Sequence, residues 1–264
     1  MSDELAGRAP RRSRGTLCIS SQAGCALQCA FCATGAMGFS RNLEVYEIAG
    51  QVREMRLLDP PIEVTNIVFM GMGEPMMNWK AVDPALTLLN DRRALGIGAR
   101  HITISTVGVL PGIVALGQRP EQFRLAISIH APSDELRRQL MPINIKFPLE
   151  DVIEAAKVFD RRVTFEYVML GGVNDSLADA RRVAKLLAPL KAAKVNLIPW
   201  NPGQLPYHES SVEDIDLFQK LLIERGIPTF VRHSRGRDVM AACGQLALNE
   251  ISASPLAVLP NIFG

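Results

Sequence analysis

The sequence predicts an α/β fold with a parallel sheet, built as a barrel or an incomplete barrel. Three observations predict it. Short β-type runs alternate with helical segments along nearly the whole chain, the pattern of βα units with right-handed crossovers. Six or seven such units fit in 264 residues, the size of one barrel domain. The residues that carry chemistry fall at the C-terminal ends of the expected strands, where such folds gather their sites.

The elements follow in order. Residues 16–20 read as a short strand leading into a cysteine-rich loop. Residues 43–58 have apolar side chains at helical spacing and stop before Asp59-Pro60-Pro61, because the residue before a proline is pushed out of the helical region. Residues 64–70 form an apolar run suited to a strand buried on both faces, followed at once by Gly71-Met72-Gly73-Glu74-Pro75. The spacing predicts a helix over 80–95 ending at Gly96, a strand over 101–106 and a short helix over 110–116. A strand over 124–129 precedes helices over 134–140 and 149–159. A strand over 163–169 stops at Gly171-Gly172. A helix over 176–190, a strand over 194–198, a helix over 212–225, a strand over 229–232 and a helix over 239–248 complete the pattern. The first 15 residues lack apolar periodicity and read as disordered. The expected layout is therefore a disordered segment 1–15, one core domain 16–250 and a tail 251–264.

Hydrophobic residues make up 48% and charged residues 21%, which suits a globular fold with a sizeable core. A net charge of +2 allows nucleic-acid binding without arguing for it, since dedicated binders are more basic. Arg8, Arg11, Arg12 and Arg14 precede the first cysteine, and Arg232, Arg235 and Arg237 precede the last. Both groups flank cysteines, which fits a polyanionic substrate beside the site. For the N-terminal group a solvated terminus is the simpler account. The start has no apolar core of a signal peptide, and no apolar run reaches bilayer length, so the expectation is a cytoplasmic, reduced protein without a membrane segment.

Four of the five cysteines lie within 15 residues: Cys18, Cys25, Cys29 and Cys32. The last three form a C-x3-C-x2-C loop, which supplies three thiolates to one metal centre and leaves a fourth position open. An iron–sulfur cluster with one uncoordinated iron can bind and activate a small molecule. A closed zinc site needs a fourth ligand. No histidine lies close by, the nearest later one being His101, and Cys18 is the candidate for that role. An odd cysteine count without a secretory segment speaks against a disulfide framework.

Gly71-Met72-Gly73-Glu74-Pro75 lets the backbone approach a ligand. Its backbone can pair with the amino and carboxylate ends of an amino-acid-like ligand, with Glu74 available to a cation. An ordinary βα turn is the plainer reading. Ser105, Ser128 and Asn201 can fix ribose hydroxyls or a carboxylate, or can be caps and turn residues. His130 is a base, a polar wall or a satisfied structural histidine. Cys243 in a helix is ordinarily a buried small hydrophobe; Gly244 argues instead for a mobile or tightly approached backbone, and a thiolate near the charges of Arg235 and Arg237 is a better nucleophile.

Together these residues resemble one family. Cys25-x3-Cys29-x2-Cys32 is similar to the radical S-adenosylmethionine (SAM) signature. Cys18-Ile19-Ser20-Ser21-Gln22-Ala23-Gly24-Cys25-Ala26-Leu27, Gly38-Phe39-Ser40-Arg41-Asn42-Leu43 and the Gly-Met-Gly-Glu-Pro turn look like the RlmN/Cfr family of ribosomal RNA adenine methyltransferases. So do Ser128-Ile129-His130-Ala131-Pro132, Ile198-Pro199-Trp200-Asn201-Pro202 and Ala241-Ala242-Cys243-Gly244-Gln245-Leu246. The matches run in order over residues 16–246.

The resemblance implies a partial (β/α)6-type TIM barrel with a 4Fe–4S cluster on Cys25, Cys29 and Cys32, whose open iron binds SAM. It implies a SAM site lined by Gly73, Glu74, Ser105, Ser128, Ile129, His130 and Asn201. Two SAM molecules serve each turnover. One methylates Cys243; the other gives a 5′-deoxyadenosyl radical that activates the S-methylcysteine to add to an adenine ring carbon, C2 more commonly than C8. Cys18 then resolves the enzyme–RNA crosslink by pairing with Cys243. The implied substrates are ribosomal RNA and transfer RNA, and the implied electron donor is a flavodoxin or ferredoxin. Family members also carry an N-terminal accessory domain and a glutamate base before the first cysteine. Here 17 residues precede Cys18, and Glu4 is one residue out of register, so the base is unassigned. Two other readings stand beside this one: a radical SAM enzyme with a smaller substrate, and a non-catalytic zinc or iron–sulfur protein.

Overall fold

A computed structural model describes residues 15–233 except 160, 203 and 204. The expected disordered start, the helix over 239–248, the tail, and Arg235, Arg237 and Cys243 lie outside the described residues. In chain order the described elements are β1 (Thr16–Cys18), β2 (Gln22–Gly24), α1 (Ala33–Met37), β3 (Phe39–Asn42), α2 (Val45–Leu57), β4 (Asn66–Phe69), α3 (Trp79–Asn90), β5 (Ile102–Thr106), α4 (Leu110–Gly117), β6 (Arg124–Ser128), α5 (Asp134–Leu140), α6 (Leu149–Lys157), β7 (Val163–Met169), α7 (Leu177–Leu187), β8 (Ala193–Pro199), α8 (Val212–Glu224) and β9 (Thr229–Val231).

Seven strands form one sheet in the order β1-β4-β5-β6-β7-β8-β9, and every neighbouring pair is parallel. Each strand lies beside the one before it in this series. The sheet curls, and among the described residues β1 and β9 stay unpaired edges, which makes it a partial barrel. Alternation along the strands sorts the two faces. Leu125, Ile127, Phe165, Tyr167, Val195 and Leu197 are buried in the apolar core, which also takes Val82, Leu86, Ile113, Val152, Val183 and Phe218 from the helices. Tyr167 meets Phe218 of α8 with ring centroids 5.2 Å apart. The alternate residues Ser128, Glu166, Val168 and Ile198 face a cavity. Among the described residues no helix is long and apolar enough to cross a membrane.

The seven expected strands all form, with ends shifted by up to two residues. The helix expected over 80–95 stops at Asn90. Asp91 ends it: its Oδ1 accepts from Arg93 N–H at 2.8 Å, and its carbonyl accepts from Gly96 N–H, an Asx-type turn that competes with further helix. The helix expected from Ser176 starts at Leu177 because Ser176 is its cap, with Oγ accepting from Asp179 N–H. A small antiparallel sheet, β2 with β3, was not expected from the pattern. Its strands are three and four residues long and β3 is exposed throughout, so neither carries an apolar alternation.

Candidate active site

The loop between β2 and β3 carries Cys25, Cys29 and Cys32. The strands that frame it hold its ends: Cys25 N–H donates to Gly38 O at 2.8 Å. Three further contacts seat the loop on the C-terminal side of the barrel. Ala30 N–H donates to Leu140 O at the end of α5, at 2.9 Å. The Phe31 ring meets His130 edge-on at 4.8 Å. Trp200 Nε1 donates to Phe31 O at 3.3 Å. Gln28 takes a left-handed φ of 51° to make the turn between the first two cysteines.

All three cysteines line one cavity of about 190 Å³. Gly73, Glu74, Ser105, Ser128, His130 and Asn201 line it too. Of the residues named for the SAM site, only Ile129 does not. Its side chain is fully buried in the core, while its N–H and carbonyl hold Glu166 O and Arg137 Nε. Cys18, exposed at the end of β1, is not on the cavity wall.

Glu74 differs from expectation. It is fully buried, and its carboxylate is already engaged: Oε1 accepts from Met76 N–H at 3.0 Å and Oε2 from Val107 N–H at 2.9 Å. It ties the end of β4 to the end of β5 rather than waiting for a cation. The glycines beside it serve the chain's own packing as well as the cavity. A Cβ on Gly73, at φ 92°, would lie 2.4 Å from Gln22 Cβ, and one on Gly71 would lie 2.8 Å from Ile19 O. Burial raises the Glu74 carboxyl from an ordinary 4.5 to about 7, against the pull of its hydrogen bonds. A carboxyl raised in the fold binds its proton more tightly folded than unfolded. Its contribution therefore favours the fold below pH 4.5 and is withdrawn as pH rises to about 7. In the cluster-free chain this should cost about 3 kcal/mol of stability across that window. Glu74→Gln should remove this pH-dependent part. It should also lower stability by about 2 kcal/mol where the amide meets a backbone N–H instead of accepting from it. Urea denaturation of both proteins at pH 5 and pH 8 checks it, and equal pH slopes would refute the assignment.

His130 is a wall with a fixed tautomer. It is buried, at φ 53°, and its Nδ1 accepts from Val168 N–H at 2.9 Å, which leaves the proton on Nε2. Burial, then the nearby Arg137 charge, hold it down to about 3, so it stays neutral. Glu166 on β7 was not foreseen. Its only sequence signal is a carboxylate inside an otherwise apolar strand. It is buried, and Oε1 accepts from Asn196 Nδ2 at 2.8 Å, while Oε2 has no partner among the described residues. That oxygen gives the cavity wall an unused acceptor, and burial holds the carboxyl above its usual range.

Burial also raises the Cys25 and Cys29 thiols, and the neighbouring sulfurs raise Cys29 further. Burial thus holds the protons on Cys25 and Cys29, and a metal centre has to displace them to bind. Among the described residues no trio of His, Cys, Asp or Glu is placed to hold a single metal ion. A 4Fe–4S cluster binds each thiolate to a separate iron and so needs them spread apart around a shared volume. The donor set, three soft thiols on one cavity with no fourth cysteine among the lining residues, fits such a cluster and leaves one iron open.

Fold and site together define a radical SAM core. The radical SAM superfamily matches residues 19–186. A probable dual-specificity RNA methyltransferase RlmN of Gemmatimonas aurantiaca is 69% identical over 238 residues, 90% of this chain and 66% of that protein. The dual-specificity RNA methyltransferase RlmN of Vesicomyosocius okutanii is 47% identical over 247 residues, 90% of this chain and 69% of that protein. A solved radical SAM methyltransferase from Sphaerobacter thermophilus superposes with a TM-score of 0.83 at 46% identity, covering 88% of this chain and 70% of that one. The chain thus spans about two thirds of the length of these relatives. It belongs to the radical SAM superfamily and, within it, to the RlmN family of RNA methyltransferases.

Proposed function

We propose that this protein methylates C2 of adenine in ribosomal and transfer RNA, by a route that uses two SAM molecules per turnover. The observation that carries the reading is the meeting of Cys25, Cys29 and Cys32 in one cavity with Gly73, Glu74, Ser105, Ser128, His130 and Asn201. An adenine ring carbon is not a nucleophile, so polar methyl transfer from SAM fails and a radical route is required. When bound, the cluster supplies the electron that cleaves SAM to methionine and a 5′-deoxyadenosyl radical. Cys25, Cys29 and Cys32 hold it, and the cavity walls orient the nucleoside. His130 presents Nε2–H as a donor that stays neutral, and Ser105, Ser128 and Asn201 present neutral polar groups to hydroxyls and a carboxylate. Cys243 accepts the first methyl and carries it to the ring. Cys18 releases the product by forming a disulfide with Cys243, a transient bond suited to a reducing cytoplasm. A flavodoxin- or ferredoxin-type protein supplies electrons. Residues 16–250 make up the catalytic domain, flanked by segments 1–15 and 251–264.

The test is anaerobic reconstitution with iron and sulfide, then incubation with SAM, a strong reductant and ribosomal RNA lacking adenine methylation. Mass spectrometry of the digested nucleosides should show 2-methyladenosine alongside 5′-deoxyadenosine. Deoxyadenosine without methylated adenosine from an RNA-bound, cluster-loaded protein would overturn the RNA reading and favour a smaller substrate.

A further inference from the structure

Arg137, on α5, is fully buried. A guanidinium has five N–H donors, and here all are used. Nε donates to Ile129 O at 3.2 Å. One terminal nitrogen donates to Asn144 Oδ1 at 2.7 Å and Phe147 O at 3.0 Å. The other donates to Val107 O and to Ser128 O. Every acceptor is neutral: four backbone carbonyls and one amide. Among the described residues no carboxylate pairs with it at ion-pair distance. Asp134 reaches it only through Asn144, whose amide donates to Asp134 Oδ1 at 2.9 Å. Burial pushes Arg137 down to about 10, which still leaves it charged at neutral pH.

A buried cation without a counter-charge is costly, and no N–H is left over to bind a ligand. The missing negative charge lies toward the cysteine loop. The helix that carries Arg137 also receives Ala30 N–H at Leu140 O, between Cys29 and Cys32. The carbonyls that Arg137 grips belong to Ser128 and Ile129, just before His130, and His130 packs on Phe31 of the loop.

We propose that Arg137 is a positioning residue for charge: a fixed cation, spent on no ligand, that favours the reduced state of a cluster held by Cys25, Cys29 and Cys32. The inference rests on the cluster reading above. One electron from a reduced mediator makes the centre one unit more negative, with no bond made or broken, and Arg137 offsets that unit through space.

The midpoint potential of the reconstituted full chain, from a mediated dithionite titration followed by electron paramagnetic resonance, tests it. Arg137→Gln should disfavour reduction on the order of tenfold, a lowering of about 59 mV for one electron. Arg137→Lys keeps the charge and should stay near the wild type. Asp134→Asn should shift the potential upward by less, because it removes the carboxylate that partly offsets Arg137 while keeping an acceptor for Leu149 N–H. Unchanged midpoints at full iron content, or Arg137→Gln and Asp134→Asn moving the same way, would overturn the proposal, since a purely structural role cannot give opposite signs. Where Arg137→Gln does not fold, Asp134→Asn decides alone, and an unchanged or lowered midpoint refutes the idea. A wild type that loads no cluster would instead overturn the functional reading, and this inference with it.

Discussion

Cys29→Ala should yield a folded, colourless protein that makes neither 5′-deoxyadenosine nor methyladenosine. Cys29 is the middle cysteine of the loop, and no fourth cysteine among the described residues lines the cavity to replace it. Outer-shell partners of a metal centre already cost ten- to a hundredfold when removed, so loss of a ligand should cost more than about a hundredfold in activity. The fold should survive, because the loop is held by backbone and ring contacts, Ala30 to Leu140, Phe31 to His130 and Trp200 to Phe31, none of which uses the sulfur. Iron and sulfide content, the visible spectrum and a circular dichroism melt would check it. A variant that keeps a full cluster and its turnover would remove Cys29 from the metal centre.

Cys18→Ala should behave in the opposite way. Cys18 sits at the exposed end of β1 and is not on the cavity wall, so the variant should load iron and cleave SAM like the wild type. What it should lose is release. With Cys243 bound to the methylated adenine and no partner thiol to displace it, RNA should stay covalently attached to the protein. Repeated turnover should fall to at most one methyl per chain. Cys243→Ala should show neither adduct nor methylation. Denaturing gels of labelled RNA separate the three proteins directly. Loss of iron in Cys18→Ala would make Cys18 a ligand and revive the closed-zinc reading.

Most of the strands were legible because they are rich in apolar or β-branched residues with a glycine or proline near one end, and a strand buried on one face by helices and on the other by a cavity needs little else. The cysteine loop was legible from spacing alone. Less visible was what each polar residue does once inside. Glu74 reads in the sequence as a carboxylate on a ligand loop, yet both its oxygens are occupied by backbone N–H groups whose positions depend on how β4 and β5 end. Ile129 sits between two cavity residues, but strand alternation turns its side chain the other way. Glu166 and Arg137 were missed for a common reason. A charge inside a strand or helix pattern looks like a solvated position until long-range packing buries it, and no local rule marks it. The roles proposed for Cys18 and Cys243 come from the resemblance, not from physics.

The contacts that seat the cysteine loop carry a consequence for the order of assembly. The thiols lie within eight residues of one another, but what positions them comes from α5, from His130 just after β6 and from the residue after β8, up to 169 positions away. Closing loops that long is slow and costs entropy before any contact repays it. A nascent chain emerging from the ribosome therefore has these three cysteines long before it has the walls that would fix and shelter a metal centre on them. Iron delivered early meets a floppy, exposed trio. The architecture favours insertion after translation has passed Trp200, into a barrel already assembled.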